Sequence, residues 1–361
     1  MRSTTSTALV ALLLALLLAA AGCGGNGGDG AETQDAVGTG ETEPQEQREA
    51  IRVGLVTDIG QLNDRGFNQL AYEGVQRAEE ELGIESRVIE SQSDADYVPN
   101  LASLADEGYE LVIAVGYAQG DAVAEVAPDY PNTTFVIIDV DQQTLRGRPE
   151  NVVGLMFKEE EVGYLAGYLS ALVAADDAGD GGAQEPPTIS SVGGHKEPPV
   201  DRFIAGYQAG AKAAVPGIRL LNAYSQDWDD LARCKEIALE QIGRGSQVVF
   251  QVAGGCGLGA LDAAEERDVW GVGVDADQSF LGDHVLTSAM KRVDEAVFQE
   301  IRKHVEGDWV SGVNVILGLE EDGVGLGEIS DEVPQEHVQA VDDVRQRIVS
   351  GEIDDIPSFL P

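Results

Sequence analysis

The stretch Ile51–Asn68, IRVGLVTDIGQLNDRGFN, carries the pattern that decides the fold. Its apolar start, Ile51 to Val56, predicts a buried β-strand. A polar loop follows, with turn-forming residues at Asn63 and Asp64, and an amphipathic helix begins near Phe67. Because ligands of open α/β sheets bind at the carboxyl ends of the strands, we expect a binding site at this loop.

Polar side chains and an aromatic ring follow this first strand. They are Asp58, Asn63, Asp64, Phe67 and Asn68. Carboxylate and amide groups beside one ring suit a polar ligand that has a flat face. The same layout recurs later, since the strands predicted at 134–139 and 270–275 end in Asp139 and Asp275.

Short apolar runs alternate with helical patterns along the rest of the chain. This alternation predicts βαβ units and parallel sheets, and 361 residues are enough for two domains. We predict an α/β fold with two doubly wound lobes, one formed by 51–157 plus about 285–318 and the other by 158–284 plus about 319–361. The late return to the first lobe indicates several crossovers, hence a hinge with a cleft between strand ends.

The first 50 residues predict export and attachment to a membrane. Residues 1–22 contain the apolar run Ala8 to Ala21, which is shorter than the roughly 18 residues needed to span a bilayer and is typical of a signal peptide. Residues 23–50 predict a flexible linker. The ending AAGC at 20–23 resembles a bacterial lipoprotein box, which implies that the mature chain begins at a lipid-bearing Cys23. A plain signal-peptidase site with an incidental cysteine is the alternative.

The chain is strongly acidic, with 23 Lys and Arg against 64 Asp and Glu and a net charge of −41. Such a surface repels nucleic acid and anionic lipid, so nucleic-acid binding is excluded. Two interpretations of the acidity stay open. One is adaptation to a saline medium, where salt screens the self-repulsion; the other is an acidic secreted protein.

The cysteines and histidines suggest neither a disulfide framework nor a metal site. Apart from Cys23, the chain has Cys234 and Cys256, which we expect to be unpaired and partly buried thiols, although a disulfide stays open. The four histidines form no metal-binding motif. The glycine pattern at 255–259 predicts a tight strand-to-helix turn rather than a dinucleotide fingerprint, which belongs at the first strand. No catalytic constellation or cofactor is predicted.

Five long motifs together resemble the basic membrane protein family. They are VTDIGQLNDRGFNQLAYEG from 56, FVIIDV from 135, VGGHKEPPVDRFIAGYQAGAKA from 192, AGGCGLGALDAAEE from 253, and VGVDADQ from 272 with LTSAMKRVDEAV after it. This family comprises lipoprotein substrate-binding components of ABC transporters and includes the nucleoside-binding PnrA-type proteins. The resemblance covers residues 51–355. It implies the type I periplasmic-binding fold and a purine nucleoside as ligand.

The candidate ligand-binding residues combine the strand-end positions with the family motifs. They are Asp58, Asn63, Phe67, Asn68, Asp139, Trp228, Gly254, Asp275 and Lys291. Phe67 and Trp228 come from different lobes, and two such rings can sandwich a base. The sequence departs from the family at Arg65-Gly66, where Lys-Ser is usual, and at Trp228, where Phe is usual.

A structural explanation competes with each of these assignments. Phe67 is also compatible with a core position at the start of a helix. Asp58, Asp139 and Asp275 are also compatible with helix caps or loop acids in so acidic a chain. Lys291, in a cleft ringed by Asp58 and Asp275, either holds the geometry of these two acids or donates to a ligand hydroxyl. An ordinary structural ion pair is the alternative.

These observations predict a monomeric receptor, lipid-anchored at Cys23 on the extracytoplasmic face of the cell membrane. It would bind a purine nucleoside and deliver it to the permease and ATPase subunits of an ABC transporter, without chemistry or cofactor. A sugar or other small-solute receptor is the rival within the same class. A nucleoside-processing enzyme or a sensory receptor subunit is the rival from another class.

Overall fold

The computed structural model describes residues 50–180 and 186–360. The predicted signal peptide, Cys23 and all of the predicted linker except Ala50 lie outside these residues. Within the described part of the chain, no helix is long and apolar enough to cross a membrane.

The described elements alternate as predicted. The first half comprises β1 Arg52–Val56, α1 Phe67–Leu82, β2 Glu85–Ile89, α2 Tyr97–Asp106, β3 Leu111–Ala114, α3 Gly120–Val126, β4 Thr134–Ile138, β5 Val152–Phe157 and α4 Glu159–Asp180. The second half comprises β6 Thr188–Gly193, α5 Pro198–Ala214, β7 Arg219–Tyr224, α6 Leu231–Gly243, β8 Val248–Val252, α7 Gly254–Glu266, β9 Trp270–Asp275, β10 Val285–Lys291, α8 Val293–Glu306, β11 Val313–Leu317, β12 Val324–Leu326 and α9 Gln335–Val349.

Two six-stranded sheets form the centres of the two lobes. The first has the strand order β2-β1-β3-β4-β5-β11 and the second β7-β6-β8-β9-β10-β12. The first is parallel throughout, whereas β12 pairs with β10 in the antiparallel sense. The central strands are buried along their whole length, as expected for parallel strands covered by helices on both faces. The predicted two-lobed α/β fold is therefore confirmed.

The chain passes between the two sheets at three points. The crossings follow β5, β10 and β11, because α4 packs in the second lobe, α8 packs on α1 of the first, and β12 returns to the second sheet. The prediction that 285–291 belongs to the first lobe was wrong. Those residues form β10, which pairs with β9 of the second sheet, and the chain crosses only after Lys291. Another apolar strand could join either sheet, and sequence alone does not distinguish the two.

Helices α4 and α5 pack parallel to each other at very short distance. A Cβ atom added to Gly167 would lie 1.9 Å from the Tyr207 carbonyl oxygen, and one added to Gly210 would lie 2.0 Å from that of Tyr164. Gly163 and Gly206 make equivalent contacts with the facing backbone. These glycines therefore fix α5, which begins beside the cleft, against α4, which begins at the first crossing.

Cys234 of α6 and Cys256 of α7 form a disulfide, with their Cα atoms 5.6 Å apart. The expectation of two unpaired thiols was wrong. The two cysteines are 22 residues apart in sequence, and only the packing of α6 against α7 brings them together.

Candidate functional site

A cavity lies between the lobes, where the carboxyl ends of strands from both sheets meet. Its empty space, part of which is open to solvent, measures about 640 Å³. Eight of the nine predicted residues line it: Asp58, Phe67, Asn68 and Asp139 from the first lobe and Trp228, Gly254, Asp275 and Lys291 from the second. The ninth, Asn63, is exposed and is not among the lining residues.

The loop after β1 is organised by Asp64 rather than by Asn63. The Asp64 carboxylate accepts hydrogen bonds from the backbone N–H groups of Gly66, Asn68 and Gln69. It thereby satisfies N–H groups that lack partners at the start of α1. This cap fixes the first turn of the helix, which carries Phe67 and Asn68 into the cavity.

Asp58 is buried at the end of the first strand and is held by its own lobe. Its Oδ1 atom accepts hydrogen bonds from the Ile59 N–H, at 2.6 Å, and from the Tyr97 hydroxyl. Its Oδ2 atom accepts none from the described residues. Burial raises the pKa of Asp58 to about 6, although the hydrogen bonds from Tyr97 and Ile59 oppose this shift.

Asp139, Lys291 and Glu159 form a buried charge network beside the hinge. The Lys291 Nζ atom lies 2.6 and 2.7 Å from the two Asp139 oxygens and 2.9 Å from Glu159 Oε1. On the far side, Arg202 lies 3.4 Å from Glu159 Oε2. The sequence analysis expected Lys291 to hold Asp58 and Asp275 in place. Its hydrogen bonds go to Asp139 and Glu159 instead. The sequence analysis did not identify Glu159 as a candidate, because it is one of three consecutive glutamates at the start of a helix.

The pKa values in this network reflect burial opposed by pairing. Burial raises the pKa of Asp139 to about 6, and Lys291 limits the rise. Burial lowers the pKa of Lys291, but the carboxylates of Asp139, Glu159 and Asp275 raise it by more. Lys291 therefore stays charged and ties Asp139 of the first lobe to the second.

Asp275 ends β9 in the second lobe and accepts no hydrogen bond from the described residues. It is only 8% exposed, and burial raises its pKa to about 7. Its backbone has a φ of 62°, in the left-handed region that non-glycine residues seldom adopt. A buried carboxylate without a partner costs free energy, so this group is suited to accept hydrogen bonds from a ligand.

The two predicted aromatic rings line the cavity from opposite lobes. Phe67 lies beneath Lys291, whose Nζ atom is 4.9 Å from the ring centroid. Trp228 packs closely over Gly194, where a Cβ atom would lie 2.1 Å from the indole. The Trp228 carbonyl accepts a 2.7 Å hydrogen bond from the Cys256 N–H, so the disulfide-bonded end of α7 anchors the loop that carries the ring.

Other cavity residues were missed as candidates. Tyr117 follows β3, and Phe203 and Glu197 come from α5 and the loop before it. The rule that strand ends meet ligands gives a signal for Tyr117 and Glu197, because each lies just beyond a strand. Phe203 looks like an ordinary core residue of its helix.

The lobes also touch at the rim of the cleft. The Gln278 side chain of the second lobe donates a 3.2 Å hydrogen bond to the Arg65 carbonyl oxygen, and the Arg65 guanidinium lies 5.8 Å from the Phe280 ring centroid. These two contacts connect the lobes across the rim of the cleft. Among residues 50–180 and 186–360, no cluster of His, Cys, Asp or Glu could hold a metal ion.

Comparison with known proteins gives a consistent family match. Residues 51–357 match the family of PnrA-like ABC transporter substrate-binding proteins. A CD4+ T-cell-stimulating antigen of Listeria monocytogenes is 33% identical, with 83% of this chain and 87% of that protein covered. The ABC transporter nucleoside-binding protein BmpA of Lactococcus lactis is 32% identical, with 84% and 88% covered. An uncharacterized lipoprotein of Pyrococcus abyssi is 31% identical, with 88% and 83% covered.

Solved structures agree with the architecture. A solute-binding protein of an ABC transporter system from Aeropyrum pernix superposes with a TM-score of 0.77 at 28% identity, covering 84% of this chain and 92% of that one. A similar protein from Conexibacter woesei gives a TM-score of 0.67 at 25% identity, covering 86% and 100%.

Proposed function

Because this chain belongs to the family of PnrA-like ABC transporter substrate-binding proteins, we propose that it is an extracytoplasmic receptor for a purine nucleoside. It binds this ligand between its lobes and presents it to an ABC permease. The role is binding, not catalysis. The observation that carries the proposal is one cavity to which each lobe contributes an aromatic ring and at least one buried carboxylate.

The purine base stacks on Phe67 and Trp228. Such stacking is worth roughly 1–3 kcal/mol per base and depends little on the identity of the base. Only the closed state lets one ligand touch rings from both lobes. Ligand binding therefore shifts the equilibrium towards closure, by as much as the affinities of the two states differ.

Hydrogen-bonding groups around the rings suit the polar parts of a nucleoside. Asp275 accepts from ribose hydroxyls, since a carboxylate can accept two neighbouring donors at once. Asn68, Asp58 and the Asp139–Lys291 pair face the polar edge of the base and the sugar.

The charge of the cavity favours a neutral ligand. Asp58, Asp139, Asp275 and Glu197 line it together with Lys291, and Lys291 is already engaged by Asp139 and Glu159. A phosphate group would meet uncompensated carboxylates at short range, where repulsion is strong. Nucleosides are therefore accepted and nucleotides rejected.

The leader completes the proposal. A lipid on Cys23 holds a monomeric binding domain at the outer face of the cell membrane through the linker 24–50, near the permease and ATPase subunits that it serves. Relatives from Pyrococcus are named lipoproteins.

Titration calorimetry with inosine, guanosine, adenosine, cytidine, ribose, glucose and GMP tests the proposal. We expect purine nucleosides to bind at least tenfold more tightly than ribose, glucose or GMP, a difference of about 1.4 kcal/mol or more. Tighter binding of glucose than of every nucleoside would replace the proposal with a sugar receptor.

A further inference from the structure

Glu197 is a cavity residue whose carboxyl group has no partner among the described residues. It occupies the N-cap position of α5, yet its side chain caps no backbone N–H. Pro198 and Pro199 fill the first two helix positions, and proline has no N–H to offer a cap. The carboxyl group lines the cavity instead.

The carboxyl group of Glu197 faces other carboxyl groups across the cleft. It belongs to the second lobe, whereas Asp58, Asp139 and Asp94 belong to the first. Burial raises the pKa of Glu197 to about 7, and the charges of these three residues add to the rise. Closure without a ligand therefore brings like charges together, and a hydrogen-bond donor placed between them relieves the repulsion.

Free hydrogen-bond acceptors are abundant in this cavity. Glu197, Asp275 and the Oδ2 atom of Asp58 accept no hydrogen bond from the described residues, whereas the Lys291 ammonium is already bonded to Asp139 and Glu159. A ligand that satisfies the cavity must therefore bring several donors. The ribose diol supplies donors at one end of a nucleoside, and the base must supply the others.

Resting on the nucleoside-receptor function proposed above, we propose that Glu197 is a specificity-determining residue that accepts hydrogen bonds from an amino-substituted base. Guanine presents an N1–H and a 2-amino group side by side, a pair that a carboxylate can accept in parallel. Hypoxanthine lacks the amino group. Adenine places an acceptor nitrogen beside its amino group, which sets a lone pair against the carboxylate. Guanosine is therefore preferred to inosine and adenosine.

Titration calorimetry on wild type and Glu197→Gln, with guanosine, inosine and adenosine, tests this assignment. The side-chain amide keeps the size of the carboxylate but replaces one of its two acceptor oxygens with an NH₂ donor, so it cannot accept two parallel donors. We expect wild type to bind guanosine at least about tenfold more tightly than inosine, as for hydrogen bonds to a charged group. The ratio should fall to about threefold or less in the variant. Glu240→Gln, an exposed substitution on α6, is the charge-matched control and should keep the wild-type ratio.

The outcomes separate this inference from the function on which it rests. Nucleoside binding by wild type with an unchanged guanosine-to-inosine ratio in Glu197→Gln would overturn the role of Glu197 and leave the nucleoside receptor standing. A wild type that binds none of the three nucleosides would reject both. The thermal unfolding midpoint of Glu197→Gln is the folding control. If it equals or exceeds that of wild type, a lost preference for guanosine does not come from misfolding.

Discussion

Two aspartates in equivalent places of the two lobes have different environments. Asp139 follows β4 and Asp275 ends β9, and each of these is the fourth strand of its sheet. Both adopt a left-handed backbone, with φ of 71° and 62°. Asp139 is bonded to Lys291 by both oxygens, whereas Asp275 accepts no hydrogen bond from the described residues. The same strand end therefore joins the lobes in one case and remains open to a ligand in the other.

Strained aspartates at strand ends are a property of the fold, but their use depends on what lies opposite. An αL aspartate persists only where its surroundings require it. Opposite Asp139, Glu159 lies at the start of α4, just past the first crossing. Lys291 lies at the end of β10 and bonds to both acids. Opposite Asp275, the first lobe offers Gly66, which brings no side chain. Asp139 is therefore held in place by its partners, whereas Asp275 is left free to accept hydrogen bonds from a ligand.

Removing the cation should abolish this difference and have the largest effect. In Lys291→Met, Asp139 and Glu159 lose their buried partner, and we expect the free energy of unfolding to fall by about 3–5 kcal/mol. Chemical denaturation of the ligand-free protein measures it. Lys235→Met is the matched control, since Lys235 pairs with Glu266 at the surface, and it should change stability by about 1 kcal/mol or less. Equal losses would show that the buried network is not special.

The disulfide adds a second contrast, because it lies in the second lobe near Trp228. Replacing both Cys234 and Cys256 by Ala should lower the free energy of unfolding by about 3 kcal/mol, the loop-closure value for their separation of 22 residues. Thermal unfolding with and without a thiol reductant checks the cause. Reductant should lower the midpoint of wild type and leave the double variant unchanged. A response of the variant would point to another origin.

Trp228→Ala tests the aromatic contribution of the second lobe. Loss of one stacking ring should weaken nucleoside binding at least tenfold, or about 1.4 kcal/mol, as measured by calorimetry. Trp309→Ala is the control, because Trp309 is 40% exposed and does not line the cavity. Unchanged affinity in Trp228→Ala would remove this residue from the site.

The last predicted effect is on the pH dependence of stability. The pKa of Asp275 is raised from 3.8 to about 7 by burial, so the folded protein holds this proton more tightly than the unfolded chain does. Its contribution therefore makes the ligand-free protein less stable as pH rises from about 4 to 7. Thermal unfolding between pH 5 and 8 should show the midpoint falling, and less steeply in Asp275→Asn. An equally steep fall in the variant would assign the effect to other acids.

The sequence predicted the parts of this molecule that depend on local pattern. Apolar runs alternating with helical stretches gave both sheets, and the strand-end rule brought Asp58, Asp139 and Asp275 to one cavity. Partners across the fold were harder to predict. Lys291 was expected between Asp58 and Asp275. Its strand does pair with the strand that ends in Asp275, but its hydrogen bonds go to Asp139 and Glu159, which are distant in sequence.

Turn chemistry and loop acids were also ambiguous. Asn63 and Asp64 are adjacent and equally suited to a turn, yet only Asp64 is oriented to cap α1, and Asn63 is left in solvent. Glu197 was hidden among 64 acidic residues, since no local pattern distinguishes a carboxyl group that lines a cavity from one on the surface. The disulfide needed the contact between α6 and α7, which 22 intervening residues do not reveal.

The glycine contacts between α4 and α5 have an electrostatic consequence. Because the two helices run parallel, their amino ends lie side by side, next to Glu159 and close to the cavity. Each end carries about half a positive charge from its macrodipole. The carboxylates there thus face positive backbone fields as well as two cationic side chains. An alanine at Gly167 or Gly210, in the body of the helix pair, would separate the helices and withdraw part of that field.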